Sequence, residues 1–180
     1  MSALGDGVSA LVVPVPAAEP VVGRHRRRLD PTAADGMPAH VTLLAPFLPP
    51  SRVDRAVAAR LTALFAATRA FRFDLGAVAW FGVRVAYLAP QPSAPFVELT
   101  EALCAAFPGL APYGGAFGSV VPHLTIGEGT PLQLPRRLCA AVQVRTSLPV
   151  EAQASAVWLM VSGPPRHSWR RMAEFTLGAG

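Results

Sequence analysis

Lysine is absent from this chain: all 16 basic residues are arginines. With the abundance of alanine and proline, this points to a GC-rich coding sequence. The net charge of +5 therefore has two readings, attraction of an anionic partner or compositional bias. Cysteine is scarce. Cys104 and Cys139 stand far apart without a C-x-x-C spacing, which excludes a disulfide framework or a zinc pattern. Both are expected to be small core residues. Charged residues are few, 15% against 52% hydrophobic, which excludes a disordered chain. No apolar run is long enough to cross a bilayer. The N-terminus has no basic segment, and its apolar stretch Ala10–Ala18 is broken by Pro14 and Pro16, so no signal peptide is expected. A cytoplasmic, monomeric protein follows as the default expectation, with no membrane partner.

What is present is a globular composition of 180 residues, punctuated by 19 prolines and 15 glycines. That length suits one domain, 1–180, or two tightly joined lobes. Ala10–Val15 reads as a buried strand, and Glu19–Leu29 as a helix that Asp30-Pro31 closes. Ala39–Phe47 reads as a second strand. A helix begins at Ser51 as N-cap, with Val53, Val57, Leu61, Leu64 and Phe65 on one face. Strands follow at Phe71–Val78 and Val83–Leu88, then a helix capped by Ser93 and running to Phe107. Pro108–Gly118 is a loop and Val120–Ile126 a strand ended by Gly127. Leu134–Val144 is a helix. Ser147–Val161 and Trp169–Leu177 are two strands around a turn at Gly163-Pro164-Pro165. The sum is α+β.

One repetition carries chemistry. His40-Val41-Thr42-Leu43 in the first half is echoed by His123-Leu124-Thr125-Ile126 in the second, each with a proline one or two residues ahead. Serine and threonine together number 18. Two such motifs with apolar flanks among four histidines would arise by chance roughly four times in a thousand. His25 and His167 lack the pattern and read as surface or structural residues. On a strand, alternate side chains share a face, so His40 and Thr42 point one way, about 6.7 Å apart along the strand. Val41 and Leu43 point the other way, toward a core. The same holds for His123 and Thr125 against Leu124 and Ile126. If a pseudo-two-fold relates the strands, two imidazoles and two hydroxyls converge on one cleft.

That set suits displacement at phosphorus. One imidazole takes a proton from the attacking oxygen, and the other gives one to the leaving oxygen. The threonine hydroxyls donate to the non-bridging oxygens. The sequence has no H-x-x-x-H, H-E-x-x-H or Cys/His cluster, so neither a metal nor a cofactor is expected.

At these residues the chain resembles the 2H phosphoesterase superfamily, defined by two H-x-[ST]-aliphatic motifs, and looks closest to its 2′-5′ RNA ligase and cyclic phosphodiesterase branch. Pro38–Pro50 (PAHVTLLAPFLPP) resembles the first signature, Val85–Pro90 the strand into the middle helix, and Pro112–Phe117 with Pro122–Ile126 the loop and second signature. The resemblance implies a bilobal α+β fold, with two antiparallel sheets facing a central groove and helices packed outside. It implies a hydrolase for 2′,3′-cyclic phosphates or 2′-5′ phosphodiester bonds of nucleotides or RNA ends, sometimes with reversible ligation. It further implies His40 as proton donor and His123 as acceptor, with roles that swap when the reaction reverses, and Thr42 and Thr125 as phosphate binders. Ala45 departs from relatives that carry an aromatic there.

Other residues leave alternatives open. Phe47, Tyr87 and Tyr113 can stack on a nucleobase or pack as core. Arg24, Arg26, Arg27 and Arg28 can hold an RNA backbone or form a solvated helix face. Arg166, Arg170 and Arg171 around Trp169 pose the same choice. Two rival functions stand beside the leading one: a nucleotide- or RNA-binding module without turnover, and an enzyme acting on another small phosphodiester.

Overall fold

A computed structural model describes residues 7–115, 120–163 and 168–179. Eight strands form two antiparallel four-stranded sheets. They are β1 (Val8–Pro14), β2 (His40–Leu44), β3 (Phe71–Phe81), β4 (Val85–Gln91), β5 (Leu124–Glu128), β6 (Val150–Ala154), β7 (Ala156–Ser162) and β8 (Arg170–Thr176). The first sheet runs β2-β1-β7-β8, the second β5-β4-β3-β6. The fold is α+β, as expected, and each H-x-T motif lies on or beside an edge strand of its own sheet. These two edges, β2 and β5, approach each other.

The helices are α1 (Glu19–Leu29), α2 (Pro31–Ala34), α3 (Arg55–Ala66), α4 (Ala94–Ala106) and α5 (Leu134–Arg145). One continuous core joins both sheets to the helices, through Leu11, Val13, Val41 and Leu43 of the first sheet and Leu75, Leu88, Leu124 and Ile126 of the second. Helix α4 backs β2: the buried Thr100 hydroxyl donates to the Leu43 carbonyl. Helix α1 lies so close to β5 that a Cβ on Gly127 would sit 2.6 Å from Leu29 Cβ. Among the described residues no helix is long and apolar enough to cross a membrane.

Several expected boundaries move, each for a local reason. The N-cap of α3 is Asp54, whose carboxylate accepts from Val57 N, and Ser51 falls in a preceding 3-10 turn, Pro50–Arg52. Ser93 flanks α4 without a side-chain capping bond. Gly127 does not end β5. The strand continues to Glu128, and the glycine is there for the close approach of Leu29. Strand β5 starts at Leu124, so His123 stands just ahead of it. The expected single strand 147–161 breaks at Ser155 into β6 and β7, which enter different sheets. Cys104 is partly buried, whereas Cys139, expected in the core, is exposed on α5. The expected turn at Gly163-Pro164-Pro165, together with Arg166 and His167, lies largely outside the described residues.

Candidate active site

The alternation read from sequence holds in three dimensions. Val41, Leu43, Leu124 and Ile126 are buried, while His40, Thr42, His123 and Thr125 keep partial access to solvent. Each H-x-T segment thus turns its apolar residues into the core and its polar pair outward. Helix α1 organises the approach to β2. The Glu19 carboxylate accepts from Ala39 N. Arg26 Nη1 reaches the Met37 carbonyl at 3.5 Å. Arg26 Nη2 pairs with Asp30 at 2.8 Å, and Asp30 also accepts from the backbone N and hydroxyl of Thr32 at the start of α2. The segment that delivers His40 is therefore pinned from one helix.

Both imidazoles are held the same way. His40 Nδ1 lies 2.7 Å from the Pro38 carbonyl and His123 Nδ1 2.8 Å from the Val121 carbonyl. A carbonyl only accepts, so each Nδ1 carries the proton, and in the neutral ring Nε2 is the basic nitrogen. A contact made twice with the residue two positions back gives the two rings one tautomer and a matched local geometry.

Their electrostatics differ. Burial, then the nearby Arg26 guanidinium, push the His40 pKa down to about 4; the Pro38 hydrogen bond and Asp30 oppose this, and the charge of His123 adds a small further push. That push on His40 agrees with the approach of β2 to β5, which brings the two motif segments near one another. Burial also lowers the His123 pKa, against the Val121 hydrogen bond. His40 is thus a neutral base in the unliganded protein near pH 7.

The His40 shift has a consequence for stability. The unfolded chain takes up a proton near pH 6.5 and the folded one only near 4, so between these values the unfolded state binds more protons. Folding stability is expected to fall as pH drops through that window, by about 3 kcal/mol from this group. Denaturant titrations at pH 7 and pH 4 should show the loss, and His40→Gln should remove that share of it. Equal pH dependence in the two proteins would refute the shift.

Cross-strand register supplies the neighbours of the motif residues. Tyr87 on β4 sits opposite Thr125, and directly opposed residues share a face. Its ring is 8% exposed, stacks on Phe81 at 4.3 Å and meets the His123 ring edge-on at 5.4 Å. Phe81, 36% exposed, also meets His123 edge-on at 5.0 Å. On the other sheet, Val12 lies opposite both Thr42 and Trp158, which puts Trp158 on the Thr42 face, with Arg171 4.5 Å over its ring.

Phe81, Trp158 and the Arg26–Asp30 pair were not singled out for the site from the sequence. Their only signal is cross-strand register and helix packing, which one strand's pattern does not contain. Phe47 is corrected: at 4% exposure, edge-on to Phe107 at 5.1 Å, it is core and offers no face to a base. Tyr113 falls in the 3-10 turn Pro112–Gly115, and its side chain lies outside the described residues. Among the described residues no group of three or more His, Cys, Asp or Glu is arranged to hold a metal ion.

Comparison with known proteins agrees with this architecture. Several solved structures share the fold. TT0787 of Thermus thermophilus is 18% identical, with 96% of this chain and 98% of that one covered and a TM-score of 0.63. E. coli LigT complexed with NADP+ is 19% identical, covering 97% and 99%, with a TM-score of 0.57. LigT complexed with 3′-AMP is 19% identical, covering 95% and 98%, with a TM-score of 0.56. Comparison with curated protein sequences gives no match. The model of the 2′-5′ RNA ligase superfamily matches residues 13–165, a span that contains both H-x-T motifs, both edge strands and the helix that pins His40. The chain therefore belongs to the 2′-5′ RNA ligase superfamily, among the 2H phosphoesterases.

Proposed function

We propose that the chain is a metal-independent phosphodiesterase that opens 2′,3′-cyclic phosphates or 2′-5′ phosphodiester bonds of nucleotides or RNA ends, in a single domain of two similar lobes. The observation that carries this reading is the pair of imidazoles with identical Nδ1–H···O=C anchoring, each two residues from a threonine on the same face, on the approaching edges of two sheets. Membership of the superfamily supports it, as does the binding of 3′-AMP by LigT.

In the hydrolytic direction, water attacks phosphorus and loses its proton to one Nε2. The bond from phosphorus to the leaving ribose oxygen breaks, and the other imidazolium protonates that oxygen. Thr42 and Thr125 donate to the non-bridging oxygens as their charge grows. The family resemblance makes His40 the donor and His123 the acceptor. His40 is neutral before substrate arrives, so donor duty requires proton uptake on binding. The anionic phosphate supplies the attraction for it. One imidazole must be neutral and the other protonated, so the pH–rate profile is expected to be bell-shaped and to report both rings.

The test is turnover of a 2′,3′-cyclic nucleotide with and without EDTA. Product at an undiminished rate in chelator is expected. Activity abolished by EDTA and restored by a divalent ion would sink the metal-independent mechanism. Tight nucleotide binding with no product at any pH would instead make the protein a binding module.

A further inference from the structure

The arginines of α1 are one run in sequence and separate into distinct surroundings in space. Arg26 turns inward, 2% exposed, to Asp30. Arg27 lies on the Glu19 side of the helix, beside Gly23. Arg24 and Arg28, one turn apart and both exposed, face α5 across a groove of ≈ 720 Å³. With His25 they line one wall, and Arg136, Cys139 and Gln143 line the other. Arg24 Nη2 donates to Gln143 Oε1 at 2.8 Å and ties the two helices together. None of these residues belongs to the H-x-T motifs.

The groove gathers three guanidinium groups and an imidazole, and among the described residues no carboxylate lines it. The ion pairs among the described residues, Arg26–Asp30 and Arg171–Glu174, involve none of the three arginines. A smaller hollow beyond Arg28 contains Asp30 and Glu128, so the cationic lining ends there. A solvated helix face would spread such charge outward; here two helices converge to concentrate it, which favours an anion in the groove. The depressed pKa of His25, caused by burial and then by Arg24 and Arg28, reports the same positive field. Among the described residues no phenylalanine, tyrosine or tryptophan lines the groove. It therefore suits contacts to phosphates rather than to bases.

We propose that the α1–α5 groove binds the phosphate backbone of an RNA strand whose reacting end occupies the imidazole cleft. Helix α1 links the groove to the site: its buried Arg26 reaches Asp30 and the Met37 carbonyl ahead of His40, and its exposed side supplies Arg24 and Arg28. This inference rests on the phosphodiesterase reading for the identity of the strand, though the groove's affinity is measurable without turnover.

The experiment compares wild type with a triple variant, Arg24→Gln, Arg28→Gln and Arg136→Gln, and with the corresponding triple arginine-to-lysine variant. Fluorescence anisotropy follows a single-stranded RNA of about 12 nucleotides over a range of salt. Circular dichroism confirms that each variant is folded. Loss of three phosphate contacts should weaken RNA binding at least roughly tenfold and flatten the plot of log K against log salt by about 2. The lysine variant should retain most of the slope. Turnover of a 2′,3′-cyclic mononucleotide, which has no flanking phosphates for the groove to hold, should be unchanged. Unaltered RNA affinity and slope in the glutamine variant, or no RNA binding by wild type, overturns the proposal. Inorganic phosphate that binds wild type as well as RNA does, and is lost in the glutamine variant, makes the groove a small-anion site and also overturns it. RNA binding that depends on the three arginines, in a protein that turns over no phosphodiester, upholds the groove and rejects the catalytic reading.

Discussion

His40→Ala and His123→Ala are each expected to lower kcat/KM on a 2′,3′-cyclic nucleotide by about 10²- to 10⁴-fold, the usual worth of a positioned general acid or base. The double substitution should cost little more than either alone, because a proton donor and acceptor serving one displacement act as a unit. The fold should survive all three changes. Each ring is anchored to a carbonyl of its own segment, and the neighbours that build the core, Val41, Leu43, Leu124 and Ile126, are untouched. Steady-state kinetics in EDTA with matched circular dichroism spectra measures this. A folded His40→Ala or His123→Ala protein with near wild-type kcat/KM would remove that imidazole from the chemistry.

The second large effect concerns stability and lies behind the site. Asp30→Ala is expected to destabilise the fold by about 3–5 kcal/mol, since it leaves Arg26 charged and buried without its partner. Arg26 and Asp30 are 2% and 4% exposed, and among the described residues the Arg26 Nε already has no hydrogen-bond acceptor. Asp30 also caps α2 through Thr32. Replacing both members together, Arg26→Met with Asp30→Leu, should cost much less, because an apolar pair needs no solvation. Urea denaturation separates these cases. The double variant also separates stability from site chemistry. Removing the dominant nearby cation and the weaker anion should let the His40 pKa rise above about 4, which an NMR titration of the ring reads directly. An Asp30→Ala protein as stable as wild type would mean that the pair is not holding α1 to the approach of β2.

How far the sequence could be read depends on the range of the forces involved. Helix α1 ends at Leu29, as the Asp30-Pro31 step implies, because a residue ahead of proline is driven to extended backbone. The faces of His40 and Thr42 followed from strand alternation, a property of the backbone alone. The split at Ser155 was not legible. Residues 150–154 and 156–162 both look like strand, and what separates them is their partners: β3 for the first, β1 and β8 for the second. The choice at Phe47 between base stacking and core was not legible for a related reason. An aromatic residue just after a motif strand can face a ligand or a core, and Phe107, 60 positions away, decides it.

By itself, then, the order of residues determined that two His-x-Thr units exist, that each divides polar from apolar on a strand, and that the chain is α+β. Those are consequences of local geometry and side-chain chemistry. Only the tertiary structure decided that both units sit at sheet edges that approach one another, that Phe81 and Tyr87 surround His123, and that Arg26 is buried in an ion pair while Arg24, Arg27 and Arg28 stay exposed. Each of these depends on contacts between residues distant in the chain. Burial and charge supplied by such contacts set the His40 pKa, and no stretch of sequence around His40 contains them.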